Sequence, residues 1–179
     1  LHKLYTRKCS IYHILVINYV ICYNNTTIWN LRQVIFMYRT AIEQLYKWKE
    51  KKNKKPLIIR GARQVGKTWL MKEFGFNAYE NCVYINLDNN QRMRDLFNIN
   101  LDIERIVIGL ELYAGQKIDP ANTLLIFDEI QEVPRALTSL KYFNENAPQY
   151  QILCAGSLLG VALHKGTSFP VGKVEFMDL

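Results

Sequence analysis

The sequence predicts an α/β fold of three layers, α/β/α, around a mostly parallel sheet. Three observations carry this. From Pro56 onward, short apolar runs alternate with longer stretches whose apolar residues recur at helical spacing. The runs are almost continuously apolar, the pattern of strands covered on both faces. A glycine-rich turn follows the first run, and a pair of acids closes the third, where parallel strands end and ligands gather.

The elements follow in order. Thr40-Ala41-Ile42-Glu43 fits a capping box, and Ala41, Ile42, Leu45, Tyr46 and Trp48 then share one helical face. That helix ends in Lys49, Lys51, Lys52, Lys54 and Lys55, broken by Pro56. Cations suit the carbonyl end of a helix, so a solvated terminus is the expected reading, with a phosphate-backbone contact as the competing one. Leu57–Arg60 reads as the first strand and Thr68–Phe74 as a helix. Cys82–Leu87 is the second strand, followed by two helices within Gln91–Tyr113. Leu124–Phe127, Gln151–Ala155 and Val174–Met177 complete the strands, with a helix over Arg135–Asn146 and a helix-like stretch Leu158–Leu163. Asp88, just past the second strand, is expected to cap the next helix.

Residues 1–36 differ from the rest. They hold four basic residues and no acid, without sustained periodicity, and Met37 follows at once. Met37 is the expected true start, with 1–36 an atypical extension and 37–179 the core; the competing reading is a short β-rich addition. This segment supplies more than half of the formal charge of +7, so the basic balance says little about nucleic acid. The apolar stretch Ile11–Tyr23 falls short of the ~20 residues of a membrane-spanning helix, and no small-residue cleavage site follows it. No membrane association is expected, and a cytoplasmic location is. Cys9, Cys22, Cys82 and Cys154 show no CxxC spacing, so zinc is unsupported and reduced, packed thiols are expected.

The chemistry sits in two motifs. Gly61-Ala62-Arg63-Gln64-Val65-Gly66-Lys67-Thr68 matches G-x-x-x-x-G-K-[ST] at every fixed position. Backbone N–H groups of such a loop wrap a phosphate chain, so side chains must vanish at its tightest points, Gly61 and Gly66. The helix that follows turns its positive end to the anion. Lys67 can reach the β- and γ-phosphates, and the Thr68 hydroxyl can ligate Mg²⁺. The second motif, Leu124-Leu125-Ile126-Phe127-Asp128-Glu129, is an apolar strand ending in two acids. In a parallel sheet Asp128 emerges beside the loop, able to hold Mg²⁺ or its waters, and Glu129 is placed to polarise a water for attack on the γ-phosphate. An Asp-Glu pair otherwise ends strands as a helix cap. These features predict a P-loop NTPase fold binding ATP with Mg²⁺.

Beyond the fourth strand, Ser157 is the candidate sensor of the γ-phosphate, against a role capping the helix-like stretch after it. Arg63 and Arg135 are possible charge donors to phosphate, though each also reads as a solvated residue. His164 reads as surface. No N-K-x-D motif for guanine and no L-S-G-G-Q occurs. The Asp128-Glu129 pair argues against a P-loop kinase, because that glutamate serves attack by water.

The run from Tyr38 to Leu179 resembles a widespread prokaryotic family of AAA+-type ATPases. The residues that carry this are Pro56–Thr68, Phe127-Asp128-Glu129-Ile130-Gln131-Glu132-Val133-Pro134, Ala155-Gly156-Ser157-Leu158-Leu159-Gly160 and Phe169–Phe176. The resemblance implies nucleotide binding by the loop, Mg²⁺ at Thr68 and Asp128, and water activation by Glu129. Members usually carry a C-terminal domain likened to restriction-endonuclease folds. Here lid, second sensor and that domain are absent from the sequence, so the core is expected to be truncated. Two expectations follow. One is an ATPase driving a conformational change in an attached or partner domain; the other is a nucleotide-binding fragment with little or no turnover. A homo-oligomer, and nucleic acid reached through the missing domain, are the possible partners.

Overall fold

A computed structural model describes residues 40–156, 170 and 172–179, and Ala41–Leu179 make one compact unit. Residues 40–49 form α1, followed by β1 (Leu57–Arg60), α2 (Lys67–Ala78), β2 (Asn81–Asn86), α3 (Gln91–Ile99) and α4 (Ile103–Ala114). Then come β3 (Thr123–Asp128), a 3₁₀ turn (Ile130–Glu132), α5 (Pro134–Asn146), β4 (Gln151–Gly156) and β5 (Glu175–Asp178). The expected strands and helices are present, with ends shifted by a few residues at most. Those on residues 1–36 and 158–163 lie outside the described residues.

The five strands form one sheet in the order β2-β3-β4-β1-β5, and every pairing is parallel. The three-layer α/β/α expectation therefore holds. Every residue of β3 and β4 is buried, which is why these strands read as near-continuous apolar runs. On one face Ile58, Ile85, Phe127 and Ile152 pack with Met93 and Phe97 of α3, Ile106 and Leu110 of α4, and Phe143 of α5 in a single cluster. On the other face α2 lies so close that a Cβ on Gly75 would stand 2.7 Å from Cys82 Sγ and 3.4 Å from Ile126 Cδ1. Phe74 of α2 meets Tyr46 and Trp48 of α1 ring to ring, at 5.3 and 6.5 Å between centroids.

Local chemistry sets the helix ends. Asp102 caps α4 by accepting from the Arg105 N–H at 2.8 Å, and left-handed Gly115 (φ 68°) ends it. Pro134 opens α5, where a missing N–H costs nothing. The cap of α3 is Asn90, whose side chain accepts from Met93 N–H, so the expected cap at Asp88 is corrected by two residues. The chain turns once more after Asp88, at Asn89 (φ 49°), before the helix begins. Thr40 is already helical, and the residues before it lie outside those described. Of the lysine run, Lys49, Lys54 and Lys55 donate to the carbonyls of Ala78, Lys49 and Gly172, and Lys51 pairs with Glu175. Only Lys54 thereby meets a carbonyl at the end of α1; Lys49 reaches the end of α2 and Lys55 the turn at Gly172. Among the described residues, no helix is long and apolar enough to cross a membrane.

Candidate functional site

The parallel topology brings the two sequence motifs to the same edge of the sheet. The loop from Gly61 to Gly66 leaves the C-terminal end of β1 and enters α2. β4 lies between β1 and β3, so the tips of β1 and β3 flank it. Two loop residues adopt left-handed backbone, Gln64 (φ 64°) and Gly66 (φ 94°). Gly66 is the N-cap of α2 and offers no side chain, which leaves the first N–H groups of the helix uncovered. A glycine is required at 61 for another reason, since a Cβ there would sit 2.5 Å from the Leu179 carbonyl oxygen. Ala62, Arg63, Gln64 and Val65 are exposed.

Lys67 is buried at 6% exposure. Its ammonium donates to the carbonyls of Gly61 at 3.0 Å and Ala62 at 2.6 Å, closing the loop on itself. A buried cation in this position is costly unless satisfied, and two neutral carbonyls are weaker partners than phosphate oxygens.

Thr68 and Asp128 meet directly. The Thr68 hydroxyl donates to Asp128 Oδ2 at 2.6 Å, and Asp128 is 4% exposed. A second hydroxyl, of Tyr84 on β2, donates to the same oxygen at 3.0 Å. Asp128 Oδ1 accepts from the Glu129 N–H at 3.0 Å. Burial raises the Tyr84 pKa, and the Asp128 charge, its hydrogen bond and the Glu129 charge push the same way. The phenol therefore keeps the proton that it donates. Lys72, one turn beyond Thr68, lies over the Tyr84 ring with Nζ 3.7 Å from the centroid. Burial pushes the Cys82 thiol up to about 11, with the Lys72 charge pulling the other way.

Glu129 takes the left-handed conformation (φ 50°, ψ 49°) at the start of the 3₁₀ turn. Its carboxylate accepts from Gln131 Nε2 at 2.5 Å, while among the described residues Gln131 Oε1 is buried without a hydrogen-bond partner. Arg135 Nε donates to the Phe97 carbonyl at 2.9 Å, tying α5 to the end of α3. Ser157 and His164 lie outside the described residues.

The donor set suits magnesium. Magnesium–oxygen bonds of ~2.0–2.1 Å put neighbouring ligands of an octahedron about 2.9 Å apart, near the 2.6 Å between the Thr68 and Asp128 oxygens. Both are hard oxygen donors. Among the described residues no cluster of three or more His, Cys, Asp or Glu could cage a metal by itself. Magnesium in phosphate-transfer sites needs no such cage, being held by one or two protein oxygens with phosphates and waters.

Of the residues singled out in the sequence, the structure bonds Thr68 to Asp128 and sets Lys67 on the carbonyls of its own loop; Tyr84 and Gln131 were not singled out. Tyr84 had a signal only in retrospect. It shares strand parity with Asn86, the residue paired with Asp128, but that register is invisible until the sheet is known.

A five-stranded parallel sheet, a glycine loop entering a helix, and a threonine bonded to a strand-end aspartate define a P-loop NTPase of the nucleotide-binding, ATPase-like class. A family model described as an AAA domain matches residues 53–179, well over half of the chain, and the chain belongs to that family. A search of curated proteins gives no significant match. Among solved structures, the chain is similar to Drosophila ORC bound to AT-rich DNA and Cdc6, with 14% identity and TM-score 0.49. That match covers 88% of this chain and 61% of the other. It is also similar to the FIGL-1 AAA domain in complex with ADP, with 18% identity and TM-score 0.39 over 70% and 43% of the two chains. For the Pif1 helicase from Candida albicans the values are 13% and 0.40, over 79% and 39%. The chain spans 61% or less of the length of each of these three.

Proposed function

We propose that the chain is a magnesium-dependent ATPase module that hydrolyses the β–γ bond of ATP and passes the resulting change to an attached or partner domain. The observation that supports this most is the hydrogen bond between Thr68 and Asp128, which joins the phosphate loop to the acidic strand end. In this reading the N–H groups of Ala62 to Thr68 hold the phosphates, and Lys67 leaves its two loop carbonyls for their oxygens. Thr68 and Asp128 hold the magnesium, directly or through its waters. The bound ion supplies positive charge to the β- and γ-phosphates. Glu129 accepts a proton from the attacking water as it adds to the γ-phosphate, and Gln131 holds that carboxylate in place. Ser157, one residue beyond β4, is the candidate sensor. The supply of ATP and, among the described residues, the free thiols of Cys82 and Cys154 support a cytoplasmic site of action.

The test is Glu129→Gln, which keeps shape and removes the base. Phosphate release should fall by about 10²–10⁴-fold, with nucleotide affinity within about twofold of wild type. Hydrolysis at the wild-type rate in the variant refutes the role of Glu129. If the wild-type chain binds nucleotide and releases no phosphate, the hydrolytic reading fails and binding alone stands.

A further inference from the structure

We propose that Tyr84 is a positioning residue for the metal site, orienting the Asp128 carboxylate before a divalent cation arrives. The proposal rests on the reading of Thr68 and Asp128 as the cation-holding pair.

Three donors from three segments converge on this one carboxylate. Thr68 comes from α2, Tyr84 from β2, and the Glu129 N–H from the residue after β3. A carboxylate has about four lone-pair sites, so three are filled by protein groups and the plane of the carboxylate is fixed. The register explains how Tyr84 reaches it. Asn86 pairs with Asp128 and Tyr84 with Ile126, so Tyr84 lies on the same sheet face as Asp128, two residues from its partner. Such a diagonal is ~7–8 Å between strands, within reach of an aromatic side chain.

The tyrosine is itself held at both ends. Its hydroxyl is bonded to Asp128 and its ring lies beneath the Lys72 ammonium. Lys72 stands on the same helix as Thr68, one turn on, so α2 positions both the hydroxyl that meets the carboxylate and the cation that covers the phenol. Partners of metal ligands typically change metal affinity by about 10–100-fold when removed. Tyr84→Phe isolates this effect, because phenylalanine keeps the ring for Lys72 and the packing against α2 while removing only the hydroxyl.

The experiment titrates Mn²⁺ into the full chain saturated with ADP, by electron paramagnetic resonance of free Mn²⁺. It runs beside ADP titrations in EDTA and thermal unfolding, for wild type and Tyr84→Phe. The expected result is an Mn²⁺ Kd raised on the order of tenfold, with the ADP Kd in EDTA and the unfolding temperature close to wild type. Normal Mn²⁺ binding by the wild type with a change of less than about threefold in the variant overturns the role of Tyr84 alone. A variant that loses ADP binding in EDTA, or unfolds at a much lower temperature, shows a packing role and overturns it too. Wild type lacking ADP-dependent Mn²⁺ binding overturns the reading of the metal site, and this inference with it.

Discussion

Replacing Lys67 by methionine keeps the length and apolar stem of the side chain and removes its ammonium. That ammonium bonds two loop carbonyls, of Gly61 and Ala62. Both are part-buried hydrogen bonds to neutral acceptors within the loop, each worth about 1 kcal/mol or less net, and removing the buried ammonium also removes its desolvation cost. The variant without ligand is expected within about 1 kcal/mol of wild type. With nucleotide the comparison changes. Hydrogen bonds to charged partners contribute about 1.5–3 kcal/mol, and ~2.7 kcal/mol corresponds to a Kd weaker by about 100-fold. At a nucleotide concentration about 100 times the wild-type Kd, linkage stabilises wild type by ~2.7 kcal/mol. The same concentration is then roughly one Kd for the variant, worth ~0.4 kcal/mol.

For a chain of this size 1 kcal/mol moves Tm by about 2–4 °C. Differential scanning fluorimetry with ADP and magnesium should therefore raise the wild-type Tm by about 5–11 °C and that of Lys67→Met by about 1–2 °C. Equal shifts in the two proteins would show that the lysine does not face the phosphates, and the loop would then be a structural turn. A wild-type Tm that ignores nucleotide altogether would remove the site.

Other outcomes follow from the same geometry. Gly75→Ala places a Cβ 2.7 Å from Cys82 Sγ, and α2 can retreat only by lifting Phe74 and Met71 out of contact. Its urea midpoint should fall by the equivalent of about 1–3 kcal/mol, and an unchanged midpoint would mean that α2 is not seated as described. Gln64→Gly relieves a left-handed residue at φ 64° and should stabilise by about 1 kcal/mol, with nucleotide binding kept because only the backbone N–H is needed. Cys82, pushed up to about 11 by burial, holds less thiolate at pH 8 than an ordinary thiol. Peptide-resolved alkylation there should be slower by on the order of 100-fold and should accelerate as pH rises toward 11; a rate equal to that of a denatured control would refute the burial.

Much of this architecture is legible in the sequence because burial and strand composition coincide. Leu124–Phe127 and Gln151–Ala155 are apolar at nearly every position since both faces of β3 and β4 are covered, and no amphipathic alternation blurs them. The phosphate loop is legible because glycine is forced, at Gly61 by the approach of Leu179 and at Gly66 by φ 94°. Helix starts were harder. Asn90 rather than Asp88 caps α3 because Asn89 adds a left-handed residue first, and Asp, Asn, Asn in succession are equally good caps on paper. The tertiary contacts of the site were not readable. Whether Tyr84 faces Asp128 depends on the register of β2 on β3, and a shift of one residue would turn its side chain to the opposite face of the sheet. Arg135 looked like a free first-turn cation, yet the end of α3 lies close enough to claim it.

Part of the strain of the fold lies where the chemistry is proposed. Among the described residues, three non-glycine residues have positive φ, and two of them, Gln64 and Glu129, lie in the phosphate loop and at the strand tip. Each such residue costs roughly 1–2 kcal/mol relative to an ordinary conformation. Beside Glu129, the buried amide oxygen of Gln131 has no hydrogen-bond partner among the described residues. Rotating that amide would satisfy nothing, because its oxygen would then face the Glu129 carboxylate at the 2.5 Å its nitrogen now occupies. The arrangement persists because Asp128, one residue earlier, is pinned from three directions and the 3₁₀ turn is anchored by buried Ile130. Strain held in place by a rigid frame is typical of positions whose geometry serves a reaction rather than the fold. Here the left-handed residue directly follows β3, whose C-terminal end lies at the same edge of the sheet as the Gly61–Gly66 loop.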